Sequence, residues 1–288
     1  MSLTPCRYTV VDVFTASRLQ GNALAVVHDA DGIPDPVMHA FAREVRLSET
    51  SFVQSATVPE ADYRNRIWMM GGEIPFAGHP SLGTAAAVAR VQAEASVTYV
   101  QETGAGCQPI DVEVDDHVAH VSMLQEPAEF GVELDAADVL GTLGLDADDA
   151  HPELPCQVVS TGLPHVIAPV RDAGALGRVW PDYDRIAQLT APHGCVMVYL
   201  AHVDTEAGTA RARSFAGSAE TGEDPATGSA AGPLGAYIAR RAGTLRLENT
   251  QGVEMGRGSR LRTEIEGDRV RVGGDVVIVV DGTVFLDT

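Results

Sequence analysis

The hydrophobic residues of this chain follow two spacings, which together predict many short strands and a few helices. β-Branched runs, typical of strands, open the chain at residues 7–14 and 23–28 and recur at 50–53. Between them, apolar side chains four residues apart predict a helix over residues 37–45, with Asp35 as its cap. Strands and helices in this mixture indicate an α+β fold.

The rest of the chain continues the pattern, mostly as strands. A long helix is predicted to end near Ala95, a partly helical acidic segment follows Glu133 with Asp135 as a cap, and a short helix covers residues 182–189. Further strands are predicted at residues 63–70, 97–101, 110–114, 118–124, 157–160, 165–170, 195–203, 210–215, 260–265, 269–272, 276–280 and 284–286.

One stretch of the chain occurs twice, 150 residues apart. GEIPFAGHPSLGTAAAVA begins at Gly72, and GEDPATGSAAGPLGAYIA begins at Gly222. Without gaps, the two share glycine, glutamate, proline and alanine positions, and His79 stands where Ser229 stands. The repeat predicts two pseudo-symmetric domains built from one kind of unit.

Each copy of the repeat predicts a tight turn that leads into an alanine-rich helix. His79, weakly, and Ser229, strongly, are expected to cap these helices. The free backbone N–H groups at Gly78–His79 and Gly228–Ser229 would attract an anion. If pseudo-symmetry places the two starts face to face, they form one pocket for a small carboxylate. The alternative, that these turns are only good helix starts, stays open at this point.

The length and composition allow two domains with ordinary cores. The chain has 288 residues, of which 45% are hydrophobic. We expect an N-terminal half of residues 1–116, with 276–288 as a candidate final strand, and a C-terminal half of residues 117–275. A net charge of -20 argues against nucleic acid or an anionic membrane as a partner. The first residues lack the pattern of a targeting signal, which predicts a cytoplasmic protein.

Several cofactor chemistries are disfavoured by the residues that are present. The sequence contains no lysine, which excludes a Schiff-base or phosphate-loop lysine. The four cysteines and nine histidines show no metal-ligand spacing, and no dinucleotide or nucleophile-elbow motif follows a strand. We therefore expect proton transfer by a carboxylate, with no cofactor and no metal.

The carboxylates nearest the repeated turns are the candidates for that proton transfer. Glu73, Glu223 and Asp224 lie in the repeats, and Glu49 lies at a helix-to-strand junction in LSETSF. For Glu49, the sequence alone favours an ordinary solvated loop residue.

Four segments then identify a family. The segments are VDVFTASRLQGNALAVV, LSETSFV, PFAGHPSLGTA and EDPATGSAAG. In order and separation they resemble the phenazine-biosynthesis isomerases of the PhzF-like type, which share the diaminopimelate-epimerase-like fold. The resemblance covers nearly the whole chain. It implies two similar domains, each a sheet wrapped around a central helix, with the active site in the cleft between them.

The resemblance also implies the roles of single residues. Glu49 matches the family's base, His79 the histidine of the Gly-His-Pro turn, and Asp224 and Ser229 the aspartate and serine of the second motif. It implies a dihydro-hydroxyanthranilate-type substrate, from which Glu49 takes a ring proton that Glu49 or Asp224 then returns. A homodimer without a cofactor is expected.

Two other functions are compatible with the same fold. One is a non-catalytic protein that binds small anions or interacts with other proteins. The other is an epimerase of an amino or hydroxy acid. A racemase with two thiols is disfavoured, because His79 and Ser229 occupy the places of its two cysteines.

Overall fold

The computed structural model of the protein describes residues 3–288 and contains two compact units. Unit 1 comprises the chain up to Met123 together with Gly273–Thr288, and unit 2 comprises Leu124–Val272. Each unit combines many strands with one long helix, so the α+β class predicted from the hydrophobic pattern is confirmed. Within residues 3–288, no helix is both long and apolar enough to cross a membrane.

Unit 1 holds eight strands and two helices before the chain enters unit 2. In chain order they are β1 (Leu3–Val13), β2 (Asn22–Val27), α1 (Asp35–Val45), β3 (Thr50–Gln54), β4 (Tyr63–Met69), β5 (Gly72–Ile74), α2 (Gly78–Gln92), β6 (Ser96–Thr103), β7 (Gly106–Asp115) and β8 (Val118–Leu124).

Unit 2 holds the next eight strands, four α-helices and two turns of 3-10 helix, at Ala147–Asp149 and Ala191–His193. In chain order the strands and α-helices are β9 (Glu129–Leu134), α3 (Ala136–Gly141), β10 (Cys156–Ser160), β11 (Pro164–Pro169), α4 (Gly174–Gly177), α5 (Tyr183–Thr190), β12 (Met197–Asp204), β13 (Thr209–Ala216), β14 (Glu223–Asp224), α6 (Gly228–Ala242), β15 (Arg246–Gln251) and β16 (Ser259–Glu266). The last strand, β17, is Arg269–Asp287.

The strands of the two units pair in the same order. In unit 1, β1–β2 is antiparallel, β2–β3 parallel, β3–β4 and β4–β5 antiparallel, and β4–β6 parallel. In unit 2, β10–β11 is antiparallel, β11–β12 parallel, β12–β13 and β13–β14 antiparallel, and β13–β15 parallel. The repeat read from the sequence is therefore a repeat of topology.

The strands of each unit pack around its long helix. Helix α2 packs on β1, β2 and β7, and helix α6 packs on β10, β11 and β16. Every residue from Gly78 to Ala89 is buried, as are most residues of α6. The two helices start exactly one repeat length apart, at Gly78 and Gly228, and each has 15 residues.

Small residues let these helices lie close to the strands. A Cβ at Gly83 would come within 2.8 Å of side-chain atoms of Val13 and Leu24. A Cβ at Gly235 would come within 2.6 Å of the Thr263 hydroxyl. The alanine-rich composition of both helices thus follows from their position against a sheet, where larger side chains have no room.

Five local predictions from the sequence were wrong. Asp35, predicted to cap α1, is the first residue of that helix and follows the cap residue Pro34, and its side chain accepts a hydrogen bond from Arg66 instead. The helix caps are Ala77 and Thr227, so His79 and Ser229 lie inside the first turns and cap neither helix. Residues Glu129–Leu134 form a strand that was not predicted, because its exposed side chains show no alternation. The strand Arg246–Gln251 was also missed. The segments predicted as three strands near the C-terminus are one strand, Arg269–Asp287.

Candidate functional site

Glu49 sits between helix α1 and strand β3, where the two adjacent parallel strands β2 and β3 begin. Its side chain is only 13% exposed, so the prediction from local sequence, a solvated loop glutamate, was wrong. Its Oε2 lies 3.3 Å from Nε2 of His79, which occupies the first turn of α2. A largely buried carboxylate thus meets an imidazole in unit 1.

His79 is electrically neutral in this environment. Burial lowers the pKa of its imidazole to about 3, because the ring has lost the water that would solvate a positive charge. The Nδ2 amide group of Asn22, the first residue of β2, lies 3.4 Å from Nδ1 of the ring. An NH2 group can only donate, so Nδ1 accepts and the ring hydrogen is on Nε2.

The position of the ring hydrogen on His79 defines donor and acceptor in a row of polar contacts within unit 1. Asn22 donates to Nδ1 of His79, and Nε2 of His79 lies 3.3 Å from Oε2 of Glu49. We call these three residues the Glu49 cluster. A buried carboxylate beside a neutral donor can accept a proton from a substrate.

Unit 2 holds the matching residue of the other repeat. Ser229 lies in the first turn of α6, and its Oγ is 3.1 Å from Nε2 of His165, a fully buried residue of β11. The carbonyl of Gly228 accepts from Nε2 of Gln125, 3.1 Å away, and Thr161 donates to Oε1 of the same glutamine. The start of α6 is therefore held by side chains of unit 2.

Asp224, four residues before α6, is anchored through its neighbours. The hydroxyl of Thr227 donates to Oδ2 of Asp224 over 2.5 Å. Nε2 of Gln251 donates to both the Asp224 carbonyl and the Thr227 hydroxyl, and Tyr199 donates to Oε1 of Gln251. This network fixes the orientation of the Asp224 carboxylate within unit 2.

Both long helices begin without a side-chain cap among the described residues. The cap residue of α2 is Ala77, which has no side-chain acceptor, and the hydroxyl of Thr227 is used by Asp224 instead. The first N–H groups of a helix carry partial positive charge, and an anion satisfies them when no cap does. Gly78–His79 and Gly228–Ser229 therefore offer backbone N–H groups without a side-chain cap. Binding of a carboxylate at these helix starts stays a prediction.

The two repeat glutamates have a different task from Glu49. Glu73 forms a two-pronged ion pair with Arg66, and Glu223 forms one with Arg213. In each unit the arginine also lies over an aromatic ring two residues further along its strand. These glutamates hold the hairpin that precedes each helix, and neither is a free base.

Thiol and metal chemistry find little support in the described residues. Within residues 3–288, no group of three His, Cys, Asp or Glu side chains could hold a metal ion. Burial raises the pKa of Cys156 to about 12 and that of Cys195 to about 11, so neither thiol ionises readily.

Two residues of the site were not found from the sequence. Asn22 and His165 lie far along the chain from the side chains that they contact, and no local motif marks them. The available signal was the repeat itself, since Asn22 stands at the start of β2 and His165 near the start of β11, the strand that corresponds to β2 in the pairing order.

A protein-family model described as phenazine biosynthesis-like protein matches residues 11–282. A Pseudomonas aeruginosa protein named trans-2,3-dihydro-3-hydroxyanthranilate isomerase is 34% identical, with 97% of this chain and 99% of that protein covered. A Mesorhizobium japonicum protein named as an uncharacterized isomerase is 35% identical, with 97% of this chain and 98% of that protein covered.

A solved structure shows the same likeness in three dimensions. The phenazine biosynthesis protein of the PhzF family from Bacillus anthracis superposes with a TM-score of 0.85 at 28% identity. The superposition covers 98% of this chain and 99% of that one. The likeness therefore extends over nearly the full length of both chains.

Proposed function

Because this chain belongs to the phenazine biosynthesis-like protein family and is an isomerase, we propose that it moves a proton between two carbons of a small cyclic carboxylate, with Glu49 as the base. The name of the Pseudomonas aeruginosa relative supports a dihydro-hydroxyanthranilate as the substrate. The observation that supports the base best is the 3.3 Å contact between Glu49 and the imidazole of His79.

The proposed reaction balances without a redox partner. The carboxylate of Glu49 takes a proton from a ring carbon, and the electron pair of the broken C–H bond moves into the conjugated system of the substrate. A new C–H bond then forms at another carbon, so the substrate and product have the same atoms and electrons. No cofactor or metal is part of the proposal. Donors placed where negative charge develops lower the barrier.

The other candidate residues have separate roles in this proposal. His79 donates to Glu49 before the proton transfer and keeps the carboxylate oriented. The helix start at Gly78–His79 in unit 1 and the one at Gly228–Ser229 in unit 2 are each proposed as a substrate-binding segment, through backbone N–H groups and, at Ser229, the hydroxyl. The proton returns from Glu49 itself or from Asp224. The proposed assembly is a homodimer.

Replacing Glu49 with glutamine tests the base. Glu49→Gln keeps the size of the side chain but removes the proton acceptor, and we expect kcat/KM to fall by about 10²–10⁴-fold. The measurement is conversion of trans-2,3-dihydro-3-hydroxyanthranilate in ²H₂O, with carbon-bound deuterium followed by NMR. Glu44→Gln, on the exposed face of α1, is the matched control and should retain the wild-type rate.

Two outcomes would count against the proposal. One is a folded Glu49→Gln variant that takes up deuterium at the wild-type rate, which would exclude Glu49 as the base. The other is a wild-type protein that neither converts this substrate nor exchanges its hydrogens. Inversion of a stereocentre in an amino or hydroxy acid, without a change in bond positions, would instead establish an epimerase.

A further inference from the structure

His165 is a fully buried histidine that has no role in the proposed proton transfer. It is the second residue of β11, and its Nε2 lies 3.1 Å from Oγ of Ser229. The other ring nitrogen, Nδ1, is buried and has no hydrogen-bond partner among the described residues. Buried polar atoms without a hydrogen-bond partner are uncommon in folded proteins, so Nδ1 of His165 needs an explanation.

The unpartnered Nδ1 favours one arrangement of the ring hydrogen. Burial lowers the pKa of His165 to about 3, so the ring is neutral and carries a single hydrogen. A hydrogen on Nδ1 would be a buried donor without an acceptor, the rarer kind of defect in proteins. A hydrogen on Nε2 leaves only a lone pair unpaired and is donated to Oγ of Ser229.

We propose that His165 is a positioning residue that makes the Ser229 hydroxyl a hydrogen-bond donor to the ligand. Because Oγ already accepts from Nε2, the hydroxyl hydrogen must point elsewhere. At an uncapped helix start it then adds a donor to the backbone N–H groups of Gly228 and Ser229. The site so formed selects an anionic oxygen, such as a carboxylate. The inference rests on the proposed function only in taking that carboxylate to belong to the substrate.

The other unit supports this role through an equivalent contact. There, Asn22 at the start of the second strand donates to His79, which occupies the repeat position of Ser229. In both units a buried side chain from corresponding strands, β2 and β11, contacts the second residue of the long helix. The same arrangement in two copies with different residues points to positioning, since packing alone does not require polar contacts.

A serine nucleophile activated by His165 is the competing explanation. Such a base must be able to accept a proton, and a third group usually orients it. Here the ring has a strongly lowered pKa, and Nδ1 has no orienting partner among the described residues. His165 is therefore unsuited to act as a base.

The test uses 2-aminobenzoate, an unreactive aromatic carboxylate, as the probe in calorimetric binding to the protein of residues 1–288. His165→Leu should weaken binding about tenfold, the effect of losing one neutral hydrogen bond. His165→Gln, which can place an amide N–H near Oγ, should recover most of that loss. In the double variant His165→Leu/Ser229→Ala, the loss should not exceed that of Ser229→Ala alone, because both remove the same hydrogen bond.

Nitrogen NMR of the wild-type protein, without any ligand, shows which ring nitrogen of His165 carries the hydrogen. We expect a protonated Nε2 and an unprotonated Nδ1 for His165. A hydrogen on Nδ1, or a folded His165→Leu variant that binds 2-aminobenzoate as well as the wild type does, would overturn the inference. A wild type that binds the probe with these variant effects but does not isomerise would refute the proposed function and leave the inference in place.

Discussion

At the contact between Asn22, His79 and Glu49, one buried imidazole stands between an amide and a carboxylate. Because the ring is neutral, its two nitrogens differ, and the residue behind it decides which one carries the hydrogen. The role proposed for Glu49 therefore depends on a residue 27 positions away in the sequence, which contacts the opposite ring nitrogen of the histidine.

Asn22→Asp is the residue-scale prediction. A carboxylate can only accept at this position, so it favours a hydrogen on Nδ1 and turns the lone pair of Nε2 toward Glu49. We expect kcat to fall by about tenfold or more, since Glu49, the proposed base, would face a lone pair instead of an N–H group. Asn22→Asp and wild type should be compared by kcat and by the nitrogen NMR signals of His79. An unchanged tautomer together with an unchanged kcat would contradict the assignment.

At the scale of elements, the repeated arginine–glutamate pair holds the hairpin before each long helix. Arg213 and Glu223 form the more buried pair, with side chains 10% and 14% exposed, and Arg213 also donates to the Leu176 carbonyl. Glu73 of the other pair is 36% exposed. Losing one partner of a buried pair leaves an uncompensated charge, which costs more than losing a pair at the surface.

Arg213→Leu is therefore expected to lower the free energy of unfolding by about 3 kcal/mol, as measured by urea denaturation. The double variant Arg213→Leu/Glu223→Leu should recover part of this loss, because no buried charge remains unpaired. Arg246→Leu breaks a surface pair with Glu264 and serves as the control, with an expected change within about 1 kcal/mol. Equal losses for Arg213→Leu and Arg246→Leu would show that the hairpin does not depend on the buried pair.

At the scale of the whole molecule, buried neutral histidines link stability to pH. Burial lowers the pKa of His28 to about 4 and of His79 and His165 to about 3, whereas in the unfolded chain each titrates near 6.5. Below that value the unfolded chain binds protons that the folded protein cannot. The contribution of these histidines to the free energy of unfolding is therefore fully present above pH 6.5 and is lost as the pH falls toward 3–4.

Urea denaturation between pH 7.5 and 5 measures this effect. Each of the three histidines should contribute a slope of roughly 1 kcal/mol per pH unit below pH 6.5. His28→Asn should reduce the slope, because it removes one proton-binding group from the unfolded chain. The same substitution at His117, which is exposed, should leave the slope unchanged. A slope unaffected by His28→Asn would mean that this histidine does not stay neutral in the folded protein.

Much of the architecture could be predicted from local patterns, because they report directly on burial. The 150-residue repeat predicted the matching helix starts at Gly78 and Gly228, and Asp135 was correctly predicted as a cap. The errors occurred where the surroundings override local preference. Ser229 is a good capping type by sequence and His79 a weak one, yet both lie inside the first turn because the preceding hairpin sets where the helix begins.

The sequence by itself determined the α+β class, the two copies and their helices, since hydrophobic spacing and small residues depend only on the chain. The tertiary structure alone decided which polar groups meet. Local sequence predicted Glu49 to be a surface residue, but pairing of β2 with β3 buries it beside His79. Asn22 and His165 gain their roles from contacts across 57 and 64 residues, distances over which no sequence period carries information.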